Sequence, residues 1–276
     1  MCTFAGSLRC NTIGMIDLLF SLPLWLLGVL LIVWLVGFGL IGLRIVSRRV
    51  LPSLHLRYDD AYFGAAVVQS SMLLYGLIAA LTAVGVWQRH SQAADTVSGE
   101  ATAIASLWRD LGSYPQSQRD AMQDILRGYT EQVINQAWPQ LRRGQIPREG
   151  VEWMDRLQTQ LFGFEPVTES QKILHAQTVS AFNHLVQQRR QRLDAAQTRL
   201  PTVLWMVLLP GAMGCMALCL FFHVESVRFH AILLIGLAVF LAMVLFVIFA
   251  LDRPLCGDMA ISPESYQLVY DHHMKK

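Results

Sequence analysis

The chain has 276 residues, of which 54% are hydrophobic and only 15% are charged. Together with a mean hydropathy of +0.40, this composition excludes an ordinary water-soluble protein and indicates an integral membrane protein whose first partner is the lipid bilayer. The formal net charge of +2 is too small to predict a nucleic-acid partner.

The first predicted membrane span covers residues 18–43, a run of 26 residues without a charge. It follows a lead of residues 1–17, in which Met15 is an alternative start. The run is too long and begins too late for the apolar region of a signal peptide, and no small-residue cleavage site follows it. We therefore expect a retained transmembrane helix, followed by a loop that contains Arg44, Arg48, Arg49 and Arg57.

The second predicted span, residues 63–87, carries a polar stripe. Its 25 residues are enough to cross a hydrocarbon core at about 1.5 Å per helical residue. Four small or polar residues fall on one side of a helix, because they are spaced four, seven and three residues apart: Ser71, Tyr75, Thr82 and Gly85. Such a stripe faces protein or water, not lipid.

A helical domain inserted between membrane spans is predicted for residues 88–200. No proline interrupts residues 88–111, later breaks fall at Pro115, Pro139 and Pro166, and residues 168–171 have the form of a capping box. The 13 Lys and Arg and 12 Asp and Glu of this segment indicate a solvated helix exterior. The exceptions are four arginines clustered just before the third span: Arg189, Arg190, Arg192 and Arg199. The first three, together with Arg89, are candidates to bind lipid headgroups or anions at a pore mouth. The alternative is simple positive-inside anchoring.

Two further spans complete the predicted membrane part. Residues 201–222 contain Pro210-Gly211, which predicts a kink, and a short connector leads to the fourth span at residues 231–251. Residues 252–276 read as a polar tail. The fold class is therefore all-α, with four transmembrane helices and a soluble helical domain inserted between the second and the third.

The arginine distribution predicts the orientation. Four spans place both termini and the helical domain on one side of the membrane. That side carries seven flanking Lys and Arg residues against five on the other. Positive residues are enriched in cytoplasmic segments, so we expect the helical domain and both termini to be cytoplasmic.

Several short motifs, in order, resemble the bacterial bestrophin-like domain proteins, a family of integral membrane proteins without an established activity. The resemblance begins near Leu22 and covers nearly the whole chain. The matching features are the arginine-rich turn after the first span, Tyr75, Ala-Val-Gly-Val-Trp-Gln at 83–88, Ala-Trp-Pro at 137–139, Leu-Pro at 200–201, Val-Glu at 224–225, Ala-Leu-Asp-Arg-Pro at 250–254 and Ile-Ser-Pro-Glu at 261–264.

The family name implies similarity to bestrophins, which are oligomeric anion channels with four membrane helices per subunit and a pore lined by the second helix. The resemblance thus implies a homo-oligomer in a bacterial cytoplasmic (inner) membrane and inorganic anions as partners. The chain departs from bestrophins in having one ring, Tyr75, near the middle of this helix instead of an aromatic neck. It also lacks the acidic calcium clasp of the animal members.

Two functions remain open at this stage. In a channel, Ser71, Tyr75, Thr82 and Gly85 would line the pore, and Ile78 would form a constriction that gates by dewetting. The same stripe equally fits helix packing within the membrane.

The alternative function is a membrane-anchored scaffold or signalling protein that acts through tryptophans of the helical domain, Trp108, Trp138 and Trp153. A coupled transporter is disfavoured because the four predicted spans contain no charged residue.

An enzyme is disfavoured as well. The sequence has no Gly-rich phosphate loop, H-E-x-x-H or G-x-S-x-G motif. The five cysteines show neither a C-x-x-C pair nor a zinc-site spacing. We predict no catalytic residue, metal site or cofactor.

Overall fold

The computed structural model describes residues 23–50, 58–147, 150–222, 224 and 226–275, with the backbone alone described for 58–61. Every regular element in these ranges is a helix, which confirms the predicted all-α class. The predicted lead, residues 1–17, and the first residues of the predicted first span lie outside the described ranges.

Nine α-helices follow one another along the described chain. They are α1 (Leu24–Ile45), α2 (Tyr58–Leu111), α3 (Gln116–Gln132), α4 (Trp138–Arg142), α5 (Gly150–Phe162), α6 (Glu169–Gln197), α7 (Thr202–Cys219), α8 (Val227–Leu251) and α9 (Glu264–Val269). Three π-helical turns adjoin them, at Val46–Val50, Val133–Ala137 and Tyr270–Met274.

The chain forms two compact units. The membrane unit comprises Met1–Gln88 and Arg199–Asp252, and the helical unit comprises Arg89–Thr198 and Arg253–Lys276. Four helical stretches are long and apolar enough to cross a bilayer, which confirms the predicted number of spans: Leu24–Val50, Tyr62–Leu111, Glu169–Cys219 and Val227–Leu251.

In the membrane unit, α1 packs along α8. Small residues let these helices approach other side chains closely: an added Cβ at Gly28 would lie 3.4 Å from the ring of Phe246, and one at Gly39 would lie 2.6 Å from Cε of Met216. Close approach of this kind replaces the hydrophobic driving force, which is absent between helices in lipid. The membrane unit is therefore stabilised mainly by van der Waals contacts between closely packed helices.

The ends of the third and fourth spans are joined by a buried carboxylate. The backbone N–H of Leu200, just before α7, donates a hydrogen bond to Oδ1 of Asp252 at 2.6 Å. Asp252 directly follows α8 and is buried. Because a carboxylate that accepts backbone N–H bonds makes a charge-assisted hydrogen bond, this contact fixes where α7 begins relative to the end of α8.

The helical unit has its own apolar core. The second half of α2 contributes Ile104, Leu107 and Leu111, which are fully buried, and α3 and α5 contribute Leu126 and Leu157. The capping box predicted at the start of α6 is confirmed. The apolar positions recur at three and four residues, as expected for helices that bury one face.

The prediction of a polar tail after the fourth span is wrong. Tyr266 on α9 is fully buried in the core of the helical unit, and Met274 near the C-terminus is buried there as well. Trp138 Nε1 donates a hydrogen bond to the carbonyl oxygen of Ile261 at 3.0 Å. The segment is polar in composition because it contributes only a few large side chains to a core that other helices mostly supply.

Gly211 gives a test of packing in the membrane unit. An added Cβ at Gly211 would lie 2.8 Å from Cδ2 of Tyr75. A buried aromatic ring cannot move to relieve such a clash without disturbing its own packing. We expect Gly211→Ala to lower the free energy of unfolding in detergent by about 1–3 kcal/mol. Gly214→Ala is the control, because no heavy atom lies within 4 Å of its added Cβ. Equal melting temperatures of the two variants would contradict this packing.

Candidate functional site: the second span and the arginines of the helical unit

The polar stripe of the second span divides into an inward and an outward part. Tyr75 is buried, and its hydroxyl donates a hydrogen bond to the carbonyl oxygen of Leu208 on α7 at 3.3 Å. Thr82 is buried as well, and its Oγ1 donates to the carbonyl oxygen of Ile78 at 2.8 Å. Within one chain, therefore, both hydroxyls already have protein partners.

The other three residues of the predicted site lie on a more open side of α2. Ser71, Ile78 and Gly85 are seven residues apart, which brings them to nearly the same angle around a helix. Ile78 is 39% exposed, Ser71 and Gly85 are half-buried, and no heavy atom lies within 4 Å of a Cβ added at Gly85. These positions are free to meet water, lipid or another copy of the chain.

Apart from the exposed Gln69 and Ser70, the exposed surface of α2 within the span is mostly apolar. Large exposed side chains cover it: Leu73, Leu74, Leu77, Leu81, Val84 and Trp87. Exposed apolar side chains on a membrane span are typical of contact with lipid or with a partner. One chain alone leaves these side chains uncovered.

The four predicted arginines differ in exposure. Arg89 and Arg190 are exposed, as a headgroup-binding or pore-mouth role requires, and Arg189 is half-buried. Arg192 is only 2% exposed, so the prediction that it binds headgroups or anions at the surface is wrong. It points into the helical unit because a buried carboxylate lies there.

That carboxylate belongs to Glu100, which is fully buried on α2. Nε of Arg192 donates to Oε2 of Glu100 at 2.6 Å, and Nη2 donates to Oε1 at 3.4 Å. The hydroxyl of Tyr129 donates to the same Oε1 at 2.5 Å. The guanidinium carbon also lies 5.9 Å from the centre of the Trp138 ring. The carboxylate is therefore fully engaged by these two side chains.

Burial and charge act together on this cluster. Burial raises the pKa of Tyr129 far above its ordinary value, and the neighbouring Glu100 carboxylate raises it further. Burial alone would lower the pKa of Arg192, but the charge of Glu100 outweighs it and holds that pKa well above the ordinary value. Arg192 is thus a permanent cation and Tyr129 a permanent hydrogen-bond donor.

Sequence reasoning missed Glu100, although a signal for it exists. It lies three residues after Val97 and four before Ile104, on the apolar stripe of α2. A charged residue on a buried stripe needs a partner of opposite charge. The stripe could therefore have shown a buried ion pair, but not which arginine completes it.

The tryptophans proposed as anchors for a scaffold do not offer an exposed surface. Trp138 is buried, and Trp108 and Trp153 pack partly buried against the core. The last two rings also stack with Arg127 and Arg156, whose guanidinium carbons lie 5.5 Å from the ring centres. Nothing in their placement favours the scaffold function.

In the described part of the chain, no group of three or more His, Cys, Asp or Glu residues is arranged to hold a metal ion. Of the cysteines described there, Cys215 and Cys219 are free thiols.

The fold and this distribution of surface define a helical integral membrane protein with four spans and a folded helical unit. A family model of the Bestrophin-like domain matches residues 33–266. The chain therefore belongs to the bestrophin-like domain family. A comparison with curated proteins gives no significant match.

Solved structures show the same fold. A bacterial bestrophin homologue from Klebsiella pneumoniae with a leucine-to-threonine mutation aligns with a TM-score of 0.67 at 10% identity, covering 90% of this chain and 99% of that one. A variant of the Klebsiella pneumoniae homologue with an isoleucine-to-threonine mutation aligns with a TM-score of 0.64 at 12% identity, with the same coverage. A further structure, of a membrane protein with a leucine-to-alanine change, aligns with a TM-score of 0.68 at 12% identity, covering 88% and 97%.

The contribution of the buried Glu100–Arg192 ion pair to stability can be tested by mutation. Glu100→Ala leaves Arg192 as an unpaired buried cation and should cost about 3–5 kcal/mol of local stability. Tyr129→Phe, which removes one hydrogen bond to a charged group, should cost about 1.5–3 kcal/mol. Amide hydrogen exchange of the intact protein, read on peptides from residues 89–111, measures both losses.

The control is Lys172→Ala, which breaks an exposed ion pair with Glu169 at 2.8 Å and should cost less than about 1 kcal/mol. If Glu100→Ala exchanged no faster than this control, the buried pair would not stabilise the helical unit.

Proposed function

We propose that several copies of this chain form a membrane channel in which the second spans surround a pore that conducts small inorganic anions. The observation that carries the proposal is the open side of α2, where Ser71 and Gly85 are half-buried, Ile78 is 39% exposed, and all three align. A pore needs such a helix from each of several copies. The fold shared with bacterial bestrophin homologues supports this arrangement.

The three aligned residues would have different tasks in the pore. The Ser71 hydroxyl can replace part of the hydration shell of an ion without adding fixed charge, and Gly85 leaves the backbone accessible to water. Ile78 lies between them, where a ring of branched apolar side chains forms a constriction that gates by dewetting. We assign Ile78 as the narrowest point.

Tyr75 and Thr82 support the pore wall from behind in this proposal. Their hydroxyls already bond to carbonyl oxygens of the same chain, so hydrating an ion would first require breaking those bonds. Arg89 follows the span directly and is exposed. A cation at the mouth would raise the local concentration of anions.

The channel test is a flux assay with the full-length protein in liposomes. The wild-type protein should release chloride faster than empty vesicles. Ile78→Thr should speed release about tenfold, equivalent to removing about 1.4 kcal/mol of barrier, because a hydroxyl wets the constriction.

The matched control is Ile232→Thr, an isoleucine to threonine change at an exposed position of α8, which should leave the flux unchanged. No release above empty vesicles would contradict the channel. Equal fluxes of wild type and Ile78→Thr would remove Ile78 from the pore, and potassium release in place of chloride release would overturn the ion assignment.

We also propose that the protein lies in the bacterial cytoplasmic membrane with the helical unit and both termini in the cytoplasm. Support comes from the excess of flanking arginines on that side. A green fluorescent protein fused to the C-terminus should fluoresce, while an alkaline phosphatase fusion at the same point should be inactive. The opposite pair of results would invert the orientation.

A further inference from the structure

A cationic patch of three arginines lies at the end of the first span. Arg44 lies in the last turn of α1, and Arg48 and Arg49 lie in the π-helical turn that follows, Val46–Val50. All three side chains are exposed. Among the residues that the structure describes, none forms an ion pair with one of them. The patch therefore offers its positive charge to a partner outside the described chain.

The π-helical turn brings these arginines to one side of the helix. Its hydrogen bonds join residues five apart, so each turn holds more residues than an α-helical turn. Residues four apart consequently come close to the same angle around the axis. Arg48 lies one turn beyond Arg44, and Arg49 lies one turn beyond Ile45. The three guanidinium groups can thus bind one anionic group from the same side.

The same side of α1 is apolar toward the middle of the span. Val33, Ile41 and Ile45 are 64%, 63% and 52% exposed. Together with Gly37 they form an apolar stripe at steps of four residues, which places them on one broad side of a helix. No heavy atom lies within 4 Å of a Cβ added at Gly37. An uncovered apolar stripe that ends in a cationic patch matches the two parts of an anionic lipid.

The length of the apolar stripe matches one leaflet of a bilayer. Val33 and Arg44 are eleven residues apart, which is about 16 Å along a helix at about 1.5 Å per residue. The hydrocarbon core is about 30 Å thick, so one leaflet contributes about 15 Å. When Val33 lies near the middle of the bilayer, the cationic patch therefore lies at the level of the headgroups.

We infer that this side of α1 binds an anionic phospholipid, with its phosphate at the cationic patch and an acyl chain along the apolar stripe. Guanidinium groups match phosphate oxygens with paired hydrogen bonds, and arginines beside a span attract anionic headgroups. Free phosphate would use the arginines but leave the stripe uncovered, so a lipid is the occupant that accounts for both. The site lies on α1 and does not depend on whether α2 lines a pore.

The test measures the melting temperature of the full-length protein in detergent micelles that contain one of two lipids. Dioleoyl phosphatidylglycerol is anionic and dioleoyl phosphatidylcholine is zwitterionic, and their acyl chains are the same. We expect a higher melting temperature in phosphatidylglycerol, with a shift that grows with its mole fraction. Inorganic phosphate at the same concentration should give no shift, because it cannot occupy the apolar stripe.

The variant Arg48→Gln with Arg49→Gln should lose about two thirds of the phosphatidylglycerol shift, because each arginine near the surface contributes about equally. The matched control is Arg142→Gln with Arg143→Gln, which removes the same two charges from an exposed pair in the helical unit. The control should keep the full shift. All four side chains are exposed, so neither variant disturbs a core.

Equal melting temperatures of the wild type in the two lipids would overturn the inference and leave a second copy of the chain, or lipid of any charge, as the cover of the apolar stripe. Equal losses in the two glutamine variants would overturn it as well, since the shift would then depend only on net charge. A shift in inorganic phosphate as large as that in phosphatidylglycerol would show that the arginines bind the anion without the lipid chain.

Discussion

The helical unit depends on a buried charge that must be neutralised. Glu100 on α2 is fully buried and meets Arg192 on α6 at 2.6 Å, and each of these charges alone would cost several kcal/mol in the interior. Their pairing fixes how α6 lies against α2, and Tyr129 brings α3 to the same point. Arg189 precedes Arg192 by three residues on α6 and is half-buried.

The membrane unit follows a different constraint. Lipid offers no hydrogen-bond partners, so polar side chains in a span must find partners in the protein or in a water-filled path. Tyr75 and Thr82 find theirs on the backbone of the same chain. Ser71, Ile78 and Gly85 lie on the more open side of α2, and the contrast between satisfied and open positions is the physical basis for the proposal that this side lines a pore.

Much of the fold could be predicted from the sequence because the relevant signals are local. Span length and hydropathy gave the four spans, and three-residue spacing gave the capping box of α6. The partners of polar groups are not local. Arg192 and Glu100 are 92 residues apart, and Tyr75 and Leu208 are 133 apart, so no pattern within one helix shows that they meet. For the same reason, the sequence predicted a surface role for Arg192.

The prediction of a polar tail for the C-terminal segment was wrong for a related reason. The composition of the segment is polar, and three widely spaced side chains, Leu255, Tyr266 and Met274, are deeply buried in the core of the helical unit. Three such side chains do not make a recognisable periodic pattern, so the segment resembles a tail. These side chains are buried because the other helices of the helical unit leave space for them, and the sequence of the segment alone does not show that space.

The central claim is that the open side of α2 is covered by other copies of the chain. The most direct measurement is native mass spectrometry of the full-length protein released from lipid nanodiscs. We expect one closed assembly of three or more chains, because a pore lined by one helix per chain needs at least that many. A protein that is released only as monomers or dimers, at concentrations where the membrane unit remains folded, would contradict it.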